Sequence, residues 1–340
     1  MAADQLAERT PTPRGRRATV REIIGSGRGA SGADSVFRGT TVVLAGAILA
    51  LLVAIFIVLL LDARMALGRY GLSMIVGRVW NPQGQIFGIL PYIFGTVYTS
   101  IIGLLIATPI AIGAALFIVE YAPLWMRAPI SFIVELLAAI PSIIYGLWGF
   151  FVLGPFMRDK IERPILKSTL ENVPGLNQLV NGPAIGKDIL TAGVILSIMI
   201  LPTIMSVARE VIATVPSTQR EGMLALGATK WEMVKGAVLP YARAGIVGAA
   251  MLGLGRALGE TMAVTLTIGN SSPKISWSVL TPGYTMASAI ANQFNEADSP
   301  MHFSAVVTVA LSLLVVSGIV NLIARLIVSS FGGDTRAEGI

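Results

Sequence analysis

Arg256 and Glu260 stand four residues apart inside an otherwise apolar run, Ala244 to Gly269. On one continuous helix that spacing puts both on a single face, within pairing distance. A charge at bilayer depth is costly and faces a bundle interior or a water-filled path. Two readings follow. The pair is an internal salt bridge that locks helices together, or Arg256 handles an anion while Glu260 holds and gates it. Arginine suits an oxyanion because its planar fork gives directed, charge-assisted hydrogen bonds and stays protonated. Gly253, Gly255 and Gly259 strip bulk from around it, so another helix or a substrate can come near.

The polar stretch just before this run is organised by helix-start signals. Thr218 and Glu221 fit one capping box, and Thr229 and Glu232 fit another. Gly227 lies between them, where a left-handed C-cap would end the first helix. Pro240 then marks a discontinuity. The expectation is two short helices joined at Gly227 on the inner membrane surface. Met223, Leu224, Leu226, Trp231, Met233 and Val234 supply apolar surface for a partner or for the membrane interface.

These elements must be carried by a membrane protein. The chain has 340 residues, of which 54% are hydrophobic and 13% charged. Soluble domains carry about 25% charge. The chain has no cysteine and one histidine, His302, which excludes thiolate chemistry and a His or Cys metal cluster. The net charge of +6 fits cytoplasmic loops better than nucleic-acid binding. The loop sequence Gly182 to Asp188 misses a phosphate-binding P-loop, with three residues between its glycines and Asp188 where Ser or Thr is needed.

The fold class is therefore all-α integral membrane, with six transmembrane helices. Apolar runs place them at 40–61, 93–119, 130–153, 188–208, 244–269 and 303–324. Pro109 suggests a kink in the second, and Pro141-Ser142 in the middle of the third either kinks it, as prolines in membrane helices commonly do, or interrupts it and exposes backbone groups to the path. Residues 1–39 read as a disordered cytoplasmic tail, 40–92 as the first helix and an outer loop, 93–328 as a five-helix core with a cytoplasmic loop at 209–243, and 329–340 as a second tail. Fifteen of the 25 Lys and Arg fall in the tails and proposed inner loops, and nine in the outer loops. That bias puts both termini in the cytoplasm. Glu135 reads as an interfacial or helix–helix contact, His302 as a boundary residue and Lys274 as a solvated loop charge.

Glu221, then Gly227 six residues on, then Leu239-Pro240 resembles the cytoplasmic loop of ABC importer permeases. Gly222-Met223 and Ala237 depart from that pattern at small or apolar positions. The resemblance implies a type I, MetI-like permease core and a coupling helix that inserts into an ATP-hydrolysing subunit. It implies docking through Glu221 to Lys230, including Ala225, Leu226, Gly227, Ala228, Thr229 and Lys230, with Leu239 and Pro240 linking onward. Gly253 to Thr265 and Leu136 to Phe151 resemble the permease subunits of bacterial phosphate importers. In that family the arginine and glutamate that map to Arg256 and Glu260 are tied to phosphate transport.

The resemblance further implies a homologous second permease subunit, an ATPase dimer that binds ATP and magnesium, and an extracytoplasmic phosphate-binding protein, all in a bacterial cell membrane. No cofactor is expected in this chain. An importer for sulfate or molybdate, a membrane-embedded phosphate-transfer enzyme and a non-transporting scaffold are the alternatives.

Overall fold

A computed structural model describes residues 30–170, 173–271 and 274–332. Contacts divide the chain after Val58. In the first unit the described residues are helical from Ala30, and every described side chain from Asp34 to Val58 is exposed. They belong to helix α1, Ala30–Tyr70. The helix starts ten residues before Thr40, the expected start, because hydropathy marks only the part suited to hydrocarbon. No proline or cap interrupts the backbone ladder between Ala30 and Thr40, so it continues. Residues 1–29, most of the expected tail, and 333–340 of the second tail lie outside the described residues.

The second unit begins at Leu59, and α1 continues within it past Asp62 and Arg64. Gly71, at φ +54°, follows the helix. The expected loop to Tyr92 also holds a short helix α2, Ser73–Val76, and a small hairpin pairing β1, Trp80–Asn81, with β2, Ile86–Phe87. His302, at the boundary where the last helix begins, is buried there. Its ring stacks on Phe87 at 5.7 Å, and its Nε2 lies 3.2 Å from Gln293 Oε1.

Helix α3 starts at Leu90 and continues through a π turn to Tyr121, passing Pro109 without a break. It packs along α7, Ile189–Ala213, the helix that carries much of the main core. Small residues set that contact. A Cβ on Gly193 would meet Ile102 Cγ2 at 2.6 Å, and one on Gly103 would meet Leu196 Cβ at 3.0 Å. Such close approach is how membrane helices gain packing energy without a hydrophobic drive between them.

The expected third span is two helices. α4, Leu124–Ala139, and α5, running Ser142–Lys167 through π turns, bend by 88° at the break. Ile140 and Pro141 are both extended, at ψ 127° and 139°. Proline forces its predecessor out of the helical region and removes a donor from the ladder. After α5 come α6, Asn177–Val180, then α7. Next are α8, Ser217–Ala225, and α9, Lys230–Leu258. The last helices are α10, Met262–Thr267, α11, Met286–Gln293, and α12, Pro300–Gly332. Among the described residues, five helices are long and apolar enough to cross a membrane, or six if the bent pair is one crossing.

Candidate coupling and substrate-path site

The loop between α7 and α9 is a capped helical turn with an exposed apolar tip. Pro216, at φ −58° and ψ 139°, turns the chain out of α7, and α8 begins at Ser217. The expected capping box at Thr218 is absent, since Thr218 is already the second residue of α8 and no side chain caps its start. Proline set the entry instead.

The end of α8 is as expected. Gly227 takes φ +85°. Its N–H donates to Leu224 O at 3.0 Å, and Ala228 N–H donates to Met223 O at 3.2 Å. That pair of bonds is a Schellman cap. Thr229 then opens α9 with a complete capping box. Its N–H donates to Glu232 Oε2 at 2.7 Å, and Glu232 N–H donates to Thr229 Oγ1 at 3.3 Å. Glu221, Ala225, Leu226, Gly227, Thr229 and Lys230 are exposed, and Ala228 is half-buried. Leu226 is 86% exposed and Trp231 60%. Two caps thus hold large apolar side chains out at the tip of the loop.

One residue pins this projection to the bundle, and sequence reasoning gave it no role. Arg220 Nε donates to Glu120 Oε1 at 3.0 Å, and its Nη2 donates to Ile212 O at 2.8 Å. Its Nη1 donates to Val215 O. The guanidinium thus closes the C-terminal end of α7 and reaches the end of α3. Glu120 is 8% exposed at its side chain. An acid at one inner helix end and an arginine beside Glu221 were both visible, but a separation of 100 residues hid the pairing.

From Thr229 the chain enters α9, which runs to Leu258 with no break at Leu239-Pro240. The expected discontinuity is absorbed by a π turn over Val234–Val238, where Leu239 N–H bonds to Val234 O. The wider turn accommodates a proline that has no N–H to give and a ring that would crowd the preceding carbonyls. Arg256 lies in the last turn of this helix. At about 1.5 Å per residue it is roughly 40 Å from Lys230.

Arg256 and Glu260 do not share a helix. α9 stops at Leu258, and Gly259 and Glu260 leave the helical path. Arg256 is exposed and makes no hydrogen bond or ion pair among the described residues. Glu260 is half-buried, and its Oε1 accepts the Ala263 N–H at 3.2 Å. Each charge therefore stands at a helix end of opposite sign, the arginine at the C-terminal end of α9 and the carboxylate at the start of α10. The three glycines divide. A Cβ on Gly253 would strike Ile204 of α7 at 2.6 Å, and one on Gly255 would lie 3.6 Å from Asn321 Oδ1. Gly259 faces open space.

The break in α9–α10 lies beside the break in α4–α5. A Cβ on Gly146 of α5 would meet Leu266 Cδ1 at 2.7 Å and Ala263 Cα at 3.0 Å. Tyr145, next to Gly146, donates its hydroxyl to Leu137 O at 2.8 Å, serving a carbonyl freed at the end of α4. It also lies near enough to feel the Arg256 charge. Two interrupted helices thus meet at the arginine, with non-helical backbone of the kind found where membrane proteins line a path.

Away from this region, Glu135 is 3.8 Å from Arg209, the helix–helix contact expected of it. Two buried carboxyls were missed. Glu162 Oε2 accepts the Gly186 N–H at 3.0 Å, and Asp188 Oδ1 caps α7 by accepting the Thr191 N–H at 2.9 Å. Burial, then the neighbouring Glu162 charge, pushes the Asp188 carboxyl up to about 8. The rejected P-loop segment is instead the backbone that this acid pair ties down.

Residues 107–331 match the family described as "Binding-protein-dependent transport system inner membrane component". A protein of Mesorhizobium japonicum named "Phosphate transport system permease protein PstC" is 44% identical over 304 residues, covering 89% of this chain and 92% of that protein. One of the same name from Haemophilus influenzae is 44% identical over 296 residues, covering 87% and 93%. Among solved structures, inward-facing conformations of the MetNI methionine ABC transporter align with a TM-score of 0.51 at 17% identity. That alignment covers 72% of this chain and 95% of the other, and shows the fold alone.

Proposed function

The chain belongs to the binding-protein-dependent transport system inner membrane component family, and from that premise we propose how it moves phosphate. It is the multi-pass permease subunit of a phosphate ABC importer, a reading supported by relatives named as phosphate transport system permease proteins. It works beside a homologous second permease subunit, an extracytoplasmic phosphate-binding protein and a dimeric ATPase that holds ATP and magnesium. Hydrolysis belongs to that ATPase. Both termini and the α8 projection face the cytoplasm.

The observation that carries the mechanism is that one unbroken helix joins the projection to the arginine. ATPase closure pushes on α8 through Leu226 and its neighbours. The Schellman cap at Gly227 and the capping box at Thr229 keep the joint from absorbing the stroke. Arg220 passes part of it to α3 and α7. Along α9 the displacement reaches Arg256 at the meeting of the two helix breaks. Released phosphate meets Arg256, whose side chain no protein acceptor occupies among the described residues, and alternating access follows as the broken helices shift.

ATP-dependent uptake by the reconstituted complex tests this reading, with sulfate and arsenate as competitors. Arsenate, of the same shape and charge as phosphate, is expected to compete and sulfate to fail. Equal inhibition by sulfate would reassign the substrate to another oxyanion.

A further inference from the structure

At the end of the bundle that carries α8, a cavity of about 420 Å3 opens between α3, α4 and α7. Ile118, Val119 and Ala213 give it apolar walls, and Arg127, Arg209 and Glu210 supply charge. Both arginines are half-buried. Among the described residues Arg127 gives only its Nε to the protein, at 3.0 Å from Ala122 O. Arg209 meets Glu135 at 3.8 Å, beyond hydrogen-bonding length. Terminal guanidinium nitrogens at the cavity therefore retain donors for an oxygen-rich guest.

The charges around the cavity balance, with Arg127 and Arg209 against Glu135 and Glu210. A free multivalent anion gains little from such a balance. A phosphodiester attached to apolar carbon gains from both halves, because the fork of each guanidinium matches phosphate oxygens and the walls match hydrocarbon. Depth agrees. Tyr121 at the end of α3 and Trp125 in the first turn of α4, both exposed, flank the turn before Arg127, as aromatic residues do at headgroup level. Phe132, Ile133 and Leu136 expose an apolar strip further along α4, and none of the α4 residues is fully buried.

We propose that this cavity seats the phosphodiester headgroup of a membrane phospholipid, held by Arg127 and Arg209, with its acyl chains along α4. The turn it braces begins next to Glu120, the partner of Arg220, so the lipid steadies the base of the projection.

The test is native mass spectrometry of the detergent-extracted complex, a readout that does not depend on transport. The wild type is expected to retain phospholipid, and R127Q/R209Q to lose it by about tenfold, the effect of roughly 1.4 kcal/mol. Ala213→Trp keeps both arginines but fills the cavity, and is expected to lose the lipid too. Subunit stoichiometry in the same spectra reports whether each variant assembles. Equal retention in the wild type and in assembled variants overturns the proposal. So does a wild-type complex that carries no lipid, which would mean that the second permease subunit covers α4. Displacement of the lipid by added inorganic phosphate would make the cavity a site for the free ion and equally overturn it.

Discussion

Arg256 and Glu260 are four residues apart but lie on opposite sides of a helix break, and the carboxylate bonds the Ala263 N–H at 3.2 Å instead of the guanidinium. The salt bridge that their spacing allows is not made. Glu260 bonds into the start of α10, and Arg256 has no hydrogen-bond or ion-pair partner among the described residues. Glu260→Gln keeps an oxygen for Ala263 and is expected to retain assembly and most uptake. Glu260→Ala removes the cap, at a cost of about 1 kcal/mol, and is expected to slow uptake further. Uptake assays on both variants, with complex yield as the control, check this order.

The Gly227 joint has a different sensitivity. Its φ of +85° strains any side chain, although nothing lies within 4 Å of a Cβ there. Gly227→Ala is therefore expected to cost about 1–2 kcal/mol through backbone strain and to weaken coupling partly. Gly227→Pro cannot adopt the conformation at all. ATPase activity measured with and without transport is expected to show hydrolysis uncoupled from uptake, or loss of the ATPase subunit from the complex.

The clamp of Arg220 on Glu120 is expected to affect coupling more than assembly. Arg220→Met leaves a mostly buried carboxylate and the Val215 carbonyl without their arginine donor, while Ile212 O keeps the Val215 N–H, a loss of about 2–3 kcal/mol. Glu120→Gln keeps an acceptor and is expected to be milder. The ratio of phosphate moved to ATP hydrolysed should fall in Arg220→Met, recover in part with Arg220→Lys, and stay near normal in Glu120→Gln.

The buried acid pair gives a pH dependence whose sign is fixed. The Asp188 carboxyl is raised, by burial first and by Glu162 second, to about 8 in the folded chain, against about 4 unfolded. The folded state holds the proton more tightly, so its stability is fullest below pH ~4 and declines as pH rises toward ~8. Thermal unfolding of the complex across this range is expected to show that decline. Asp188→Asn, which can still cap α7, is expected to flatten it.

Much of the architecture was legible because hydrocarbon demands long uncharged runs, and those runs were plain in the sequence. The Gly227 turn and the Thr229 cap were legible because each rests on neighbours in the chain. What escaped depends on partners far away or on alternatives that a uniformly apolar run cannot separate. An all-apolar segment reads as one span whether it continues or bends, so the stop at Gly259 was hidden, while Pro141 marked the place of the 88° turn without deciding between a kink and a break. Arg220 and Glu120 sit 100 residues apart, and Glu162 and Asp188 meet only once α5 folds back on the start of α7.

The central claim is that Arg256, at the end of the helix driven by the projection, handles the transported ion. Phosphate uptake by the assembled complex carrying Arg256→Gln tests it most directly. The account expects uptake to fall by about 10–100-fold, the loss of roughly 1.5–3 kcal/mol from hydrogen bonds to a charged group, while subunit assembly is unchanged. Arg256→Lys should restore little of it, because the planar fork is gone. Wild-type uptake in an assembled Arg256→Gln complex would contradict the account.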